Sequence, residues 1–281
     1  MTDVRPLPRG VDPACPAPAR IYDFLLNGRN LLNGRNHFQA DREAAQGILA
    51  LAPELKDCAW ANRGFHQRAA KWIAERGVRQ FLDIGSGLPT VGNTHEVVQK
   101  VTPACRVVYV DNDPMVRVQA GEILTDRRTV RVVRGDLREP DALLADEDVR
   151  DLIDFSQPTG LLMTAVVHFV ADEFEPGPLI ARYVSALAPG SYLALSHLTS
   201  DYKPERTVRG FCRVFDKATE QMHFRSRDDV AGFFAGLTLV PPRAGETVGR
   251  LCYAGDWGAD DPELADSDGS RWLYCGVARR D

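Results

Sequence analysis

FLDIGSG, residues 81–87, is an apolar run that ends on a carboxylate, Asp83, and two spaced glycines, Gly85 and Gly87. Residues 78–84 carry the pattern of a buried strand, and the glycines mark a turn where backbone can approach a ligand closely. The same strand signal recurs downstream at 107–110, 130–133, 160–167 and 191–196, and finally at 237–240 and 272–277. Helical segments at 94–101, 115–125, 141–152 and 179–187 separate the first five runs. Ser226-Arg227-Asp228-Asp229 resembles a capping box with Asp in place of Glu, and it opens a helix at 230–235. This alternation predicts an α/β fold built on a doubly wound, seven-stranded, mostly parallel sheet. No helical pattern lies between the last two runs, so they are expected to form an antiparallel pair at one edge.

Upstream of the first strand the rhythm differs. Residues 1–18 hold five prolines and read as an extended arm. Residues 19–77 are helical in pattern, with segments at 39–55 and 57–76 and Gly77 as the stop. The chain is therefore divided into an arm and helical cap, 1–77, and a sheet core, 78–281. LLNGRN occurs twice in tandem, at 25–30 and 31–36. Six helical residues leave a net rotation of about 240°, so both copies cannot present one face to one site. Leu25 and Leu26 are expected to pack inward, with the slack between Asn27 and Asn36.

Composition removes several classes of function. The net charge is −5, which argues against a protein made to grip nucleic acid. The longest apolar stretch, 161–170, is interrupted by Thr164 and His168 and is too short to span a bilayer. The N-terminus lacks the apolar region of a signal peptide. Six cysteines show no C-x-x-C spacing, so neither a zinc site nor a redox motif is suggested, and a reducing cytoplasmic home is expected.

Ligands of doubly wound sheets bind beyond the carboxyl ends of the strands. The first strand end places Asp83 where a dinucleotide would put its pyrophosphate, and Thr90 stands where the third fingerprint glycine belongs. Both features oppose a nicotinamide oxidoreductase. A carboxylate there suits a cation, and S-adenosylmethionine carries an ammonium and a sulfonium but no phosphate. Asp111 ends the second strand and can accept both ribose hydroxyls, while Asp113-Pro114 can cap the following helix. Asp136 ends the third strand and can accept from an adenine amino group, with Leu137 over the ring; alternatively it is a turn residue.

These strings resemble a class I S-adenosylmethionine-dependent methyltransferase, and more closely one bacterial family of that class. The resemblance is carried by ARIYDFLLNG at 19–28, ADREAA at 40–45, ANR at 61–63, FLDIGSGLPT at 81–90, VYVDNDP at 108–114, HFVADE at 168–173 and LAPGSYLALSH at 187–197. The family shows one LLNGRN-like copy where this chain has two. The resemblance implies a Rossmann-like fold and S-adenosyl-L-methionine as cofactor. It implies that Tyr22, Arg63, Asp83, Gly85, Ser86, Gly87, Asp111, Asn112, Asp136, Leu137, Thr164 and Ala165 line that cofactor's site.

His168 follows the fourth strand and is either a general base or a packed histidine. His197 poses the same choice. Asp172 and Glu173 read as helix-dipole partners, so no metal is assigned. Arg20, Tyr22 and Asp23 lie in the predicted cap, the alternative being a solvated helix face; Asn62 and Arg63 are ordinary helix surface, or Arg63 pairs with a cofactor carboxylate. The expected function is methyl transfer to a small-molecule acceptor, secondary metabolites included, with no nucleic-acid or membrane partner. The alternative is a non-catalytic module that binds S-adenosylmethionine or S-adenosylhomocysteine.

Overall fold

Apolar side chains of the central strands point alternately to two faces, and that alternation builds the molecule in three layers. The computed structural model describes residues 7–26, 37–90, 92–123, 126 and 128–281. Three helices come first: α1 (Pro18–Leu25), α2 (Gln39–Leu51) and α3 (Leu55–Glu75). Strands and helices then alternate as β1 (Gln80–Ile84), α4 (Thr94–Val101), β2 (Arg106–Asp111), α5 (Pro114–Ile123) and β3 (Val130–Arg134). Next come α6 (Pro140–Ala145), α7 (Glu147–Leu152), β4 (Gly160–Thr164), α8 (Pro176–Ala186) and β5 (Tyr192–Leu198). The remainder is α9 (Glu205–Phe215), α10 (Arg227–Gly232), β6 (Thr238–Leu239), β7 (Cys252–Tyr253), α11 (Pro262–Ala265) and β8 (Leu273–Arg279).

Among the described residues the sheet has eight strands, in the order β3-β2-β1-β4-β5-β8-β6, with β7 also paired to β8. The first five strands are parallel, and β8 runs antiparallel to β5, β6 and β7. The expected antiparallel pair is therefore β6 with β8. The eighth strand, β7, is a correction to the expected seven: it pairs only Cys252 and Tyr253 with β8. The expected helix at 141–152 is two helices, because Asp146 leaves the helical path and accepts from the Val149 N–H (3.2 Å) to start α7. Helix α9 was not anticipated; it buries Phe211 and Phe215 and leaves its charged residues outside.

Phe81, Val107, Tyr109, Leu162 and Ala194 face one core, shared with α2, α3 and α9. Leu82, Val108, Val110, Leu161, Met163 and Leu195 face the other, shared with α6, α7, α8 and α10. The buried positions of α3 recur every three or four residues and include Ala59, Phe65, Ala69, Ala70 and Ile73, whose small members let the helix lie close to the sheet. Residues of 1–77 thus share one apolar core with the sheet. Leu25 and Leu26 are buried as expected, whereas the slack assigned to residues 27–36 lies outside the described residues.

The strand order reverses between β1 and β4. A crevice opens at such a reversal, beyond the strand ends, and the cap helices lie above it. No helix among the described residues is long and apolar enough to cross a membrane.

Candidate functional site

A single cavity of about 710 Å³ occupies that crevice, and its lining includes every residue expected to hold the cofactor, together with His168. This volume lies within the roughly 300–1,000 Å³ common for ligand sites. One half is built at the strand ends and is polar. The other lies under the cap and is apolar.

In the polar half, Gly85 has φ +71° and a Cβ there would stand 2.2 Å from a Val166 methyl, so both conformation and space demand glycine. Gly87 has φ +68° with open space beside it, so conformation alone selects glycine there. Its N–H donates to Asp111 Oδ2 (2.8 Å), and the Asp113 N–H donates to Asp111 Oδ1 (3.0 Å). Asp111 is half-buried at the cavity wall, and burial pushes its pKa up to about 6 despite those hydrogen bonds. The Ser86 hydroxyl is buried and has no hydrogen-bond partner among the described residues.

Asp136 is gripped by Arg138, whose Nε donates at 2.9 Å and whose Nη2 donates at 2.5 Å. Arg138 also pairs with Glu220 (3.1 Å), and Glu220 accepts from the Asn112 side-chain amide (2.8 Å). Burial raises the Asp136 pKa, but the Arg138 hydrogen bonds outweigh it and the net shift is downward. The Leu137 carbonyl accepts from Tyr183 Oη (2.8 Å), which fixes the backbone beside the cavity. Arg63 donates to the Gly92 carbonyl (3.0 Å), at the turn leading into α4.

Asp83 belongs to a buried chain of hydrogen bonds that the sequence did not suggest. Thr94 Oγ1 lies 2.6 Å from Asp83 Oδ2, His66 Nε2 lies 2.7 Å from Thr94 Oγ1, and His66 Nδ1 lies 2.8 Å from Thr164 Oγ1. An ionised Asp83 can only accept, so the Thr94 proton points to it. His66 Nε2–H then donates to Thr94, and Nδ1 is left to accept the Thr164 proton. Thr164 therefore turns only lone pairs toward the cavity. Burial, with a contribution from Arg63, pushes the His66 pKa down to about 3, which keeps the ring neutral. Burial likewise raises the Asp83 pKa to about 6. Beyond Thr164, Ala165 takes φ +53° and its N–H donates to Ser196 Oγ (2.9 Å), which ends β4 and turns the chain along the cavity.

The missed residues had one sequence signal. Asn62 and His66 stand four apart on the same helix stripe as Phe65 and Ala69, and so face inward. Asn62 is accordingly buried rather than a surface residue: its amide donates to Tyr22 Oη (2.9 Å) and its oxygen accepts from Ser196 Oγ (2.5 Å). Tyr22 Oη in turn donates to the Ala59 carbonyl (2.9 Å), and burial pushes its pKa up to about 12.

Arg20 and Asp23 are also buried, which removes the solvated-face alternative. Arg20 Nε donates to Asp41 (3.1 Å) and lies 3.7 Å from Asp113, joining the cap to the strand ends. Asp41 further accepts from the Ala17 N–H (3.0 Å) and the Phe38 N–H (2.7 Å), so it ties the starts of α1 and α2 together.

His168 sits on a short 3-10 turn, Val167–Phe169, at the base of the apolar half. Its Nδ1 accepts from the Leu198 N–H (3.4 Å). Burial pushes its pKa well down, His197 and Arg225 adding to the effect. A neutral ring that accepts at Nδ1 carries its proton on Nε2. His197 is a packed histidine: its Nδ1 donates to the Leu198 carbonyl (2.7 Å) and its Nε2 accepts from Arg225 (2.9 Å). Arg225 also pairs with Asp172 (2.6 Å), which gives that acid a structural partner.

Parallel strands with three acids at successive ends, capped by N-terminal helices, define a class I methyltransferase fold. The chain belongs to the S-adenosyl methyltransferase family, whose profile matches residues 5–281, and its cofactor is S-adenosyl-L-methionine. A candidate methyltransferase from Thermobifida fusca YX is 35% identical, with a TM-score of 0.86 and alignment over 98% of each chain. A duf574 family protein from Streptomyces avermitilis MA-4680 is 34% identical, with a TM-score of 0.84 over 95% of this chain and 98% of that one. An O-methyltransferase family protein from Burkholderia thailandensis shares the fold alone, at 12% identity and a TM-score of 0.50, over 92% of this chain and 64% of that one. No curated protein matches.

Proposed function

We propose that this protein transfers the methyl group of S-adenosylmethionine to a small-molecule acceptor enclosed beneath the cap. The observation that carries this reading is the continuity of one cavity from the strand-end carboxylates to the apolar chamber under α1, α2 and α9. A ligand at the strand ends and a second molecule under the cap would share one enclosed space.

The residues present fit the cofactor. The Ser86 hydroxyl, without a partner among the described residues, and the close backbone at Gly85 suit a ligand lying along the turn. Asp111 would accept from the ribose hydroxyls, and Asp136 and Leu137 would meet the adenine. Thr164, held as an acceptor by His66, would take an N–H of the methionine ammonium, with Asp83 supplying negative charge behind it. Asn112, Ala165, Tyr22 and Arg63 complete the wall. When bound, the cofactor supplies a methyl group already activated on sulfonium. The protein's part is then orientation and exclusion of water. His168 would hold an oxygen of the acceptor by donating from Nε2. We place the boundary between cap and methyltransferase core at residue 77, and a cytoplasmic location fits the cysteine usage.

The test is incubation of the protein and labelled S-adenosylmethionine with a panel of aromatic alcohols, amines and acids. Label transferred to one acceptor, with matching S-adenosylhomocysteine, supports the reading. Tight binding of both adenosyl ligands without transfer to any acceptor favours the non-catalytic binding module instead.

A further inference from the structure

The two halves of the cavity differ in charge as well as in polarity. Leu25, Ile48, Phe169, Phe211, Phe215 and Met222 line the half beneath the cap. They come from α1, α2, α9 and two loops, and all six are apolar. The charged lining residues stand elsewhere and are engaged there. Arg20 is bound to Asp41, Arg63 to the turn before α4, and Arg138 to Asp136 and Glu220. A charged group entering the apolar half would lose its water and meet no counter-ion, which costs several kcal/mol.

Polar atoms in this half are few and mostly spoken for. Tyr22 Oη both donates and accepts within the protein, and Asn62 is bound at its amide and its oxygen. His168 Nε2 makes no hydrogen bond among the described residues, the ring's bond being at Nδ1, and the Cys58 thiol adds only a weak donor. Aromatic walls favour a flat partner, because rings pack edge-to-face or offset at low entropic cost. Phe169 and Phe215 stand 5.6 Å apart and Phe211 packs on Trp272 at 5.2 Å, so the wall is already braced from behind.

We infer that the chamber beneath the cap is the acceptor subsite and takes a flat, uncharged aromatic molecule with one oxygen placed to accept from His168 Nε2. This assignment rests on the methyl-transfer reading for the acceptor's role, but not for its chemistry.

The test uses 2-naphthol as probe on the full chain saturated with S-adenosylhomocysteine. Fluorescence titration should show 2-naphthol binding without displacing the nucleoside, and 2-naphthalenesulfonate binding at least tenfold more weakly. In protein carrying ¹³C-methyl methionine, the Met222 signal should shift on adding 2-naphthol, and this needs no substitution. His168→Phe should bring 2-naphthol down to the affinity of naphthalene. Met222→Trp should weaken 2-naphthol at least tenfold and leave S-adenosylhomocysteine affinity unchanged. Displacement of 2-naphthol by S-adenosylhomocysteine, an unmoved Met222 signal, or equal binding of the sulfonate would overturn the assignment. If S-adenosylhomocysteine itself does not bind, the cofactor reading fails alone. 2-Naphthol titrated into the free protein, with Met222 as reporter, then decides the chamber's chemistry by the same outcomes.

Discussion

The strand-end half of the cavity and the half under the cap are made in opposite ways. The first is local: Gly85, Ser86 and Gly87 follow β1 directly, Asp111 ends β2, and Asp136 lies just past β3. Each contact is set within a few residues of a strand terminus. The second half is assembled from α1, α2, α3, α9 and loops near residues 169 and 222, which are far apart in the chain. A polar site built on backbone leaves a motif. An apolar chamber built by packing leaves only hydrophobic residues, which look like any other core.

Arg20 sits where the two halves meet, and its removal should have the largest effect. Arg20→Met leaves the fully buried Asp41 without its cation, and breaking such a pair typically costs about 3–5 kcal/mol. Thermal unfolding should show a large drop. A melting temperature close to wild type would mean that cap and strand ends are joined by apolar packing alone.

Gly85→Ala attacks the polar half only. The added Cβ meets Val166 in a left-handed backbone conformation, and overpacking with strain should cost about 2–4 kcal/mol. Gly87→Ala, with open space beside it, should cost about 1 kcal/mol. Urea unfolding of both variants measures the difference. Equal losses would show that Val166 yields and that conformation is the whole requirement.

Asp111→Ala should weaken S-adenosylhomocysteine by about 1–3 kcal/mol, readable by calorimetry, while 2-naphthol binding persists. A parallel loss of 2-naphthol would show that the halves are not independent.

The last expected effect is that of pH. Asp83 and Asp111 titrate near 6 in the fold, above the ordinary 3.8. In the folded protein they therefore bind protons that the unfolded chain has released. Their contribution to stability is present below about pH 4 and is lost as pH rises through 6. Cofactor binding runs the other way, because ionised Asp111 would accept from the ribose and ionised Asp83 would set negative charge behind Thr164. Affinity for S-adenosylhomocysteine should fall roughly tenfold between pH 7 and pH 5. A flat profile would show that neither carboxylate changes charge in that range.

Much of the protein was legible from sequence. Continuous apolar runs broken by helical segments define the parallel strands, because a strand buried on both faces must be apolar throughout. The acids at 83, 111 and 136 stand out because they end such runs. A pattern can report only what recurs along the chain. The reading missed β7, which pairs only two residues, and it passed over α9, although Val208, Phe211, Cys212 and Phe215 recur there at helical spacing.

Sequence alone thus determined the sheet, the turn after β1 and the positions of the strand-end carboxylates, since backbone geometry and burial act over short stretches. Tertiary structure decided the rest. It brought His66 of α3 between Thr94 and Thr164, so that Thr164 accepts rather than donates. It set the Leu198 N–H against His168 Nδ1, which puts the proton on Nε2 and makes the residue a donor. It buried Arg20 between Asp41 and Asp113. In each case the role of a side chain depends on which neighbour holds its proton or its charge, and those neighbours come from distant parts of the chain.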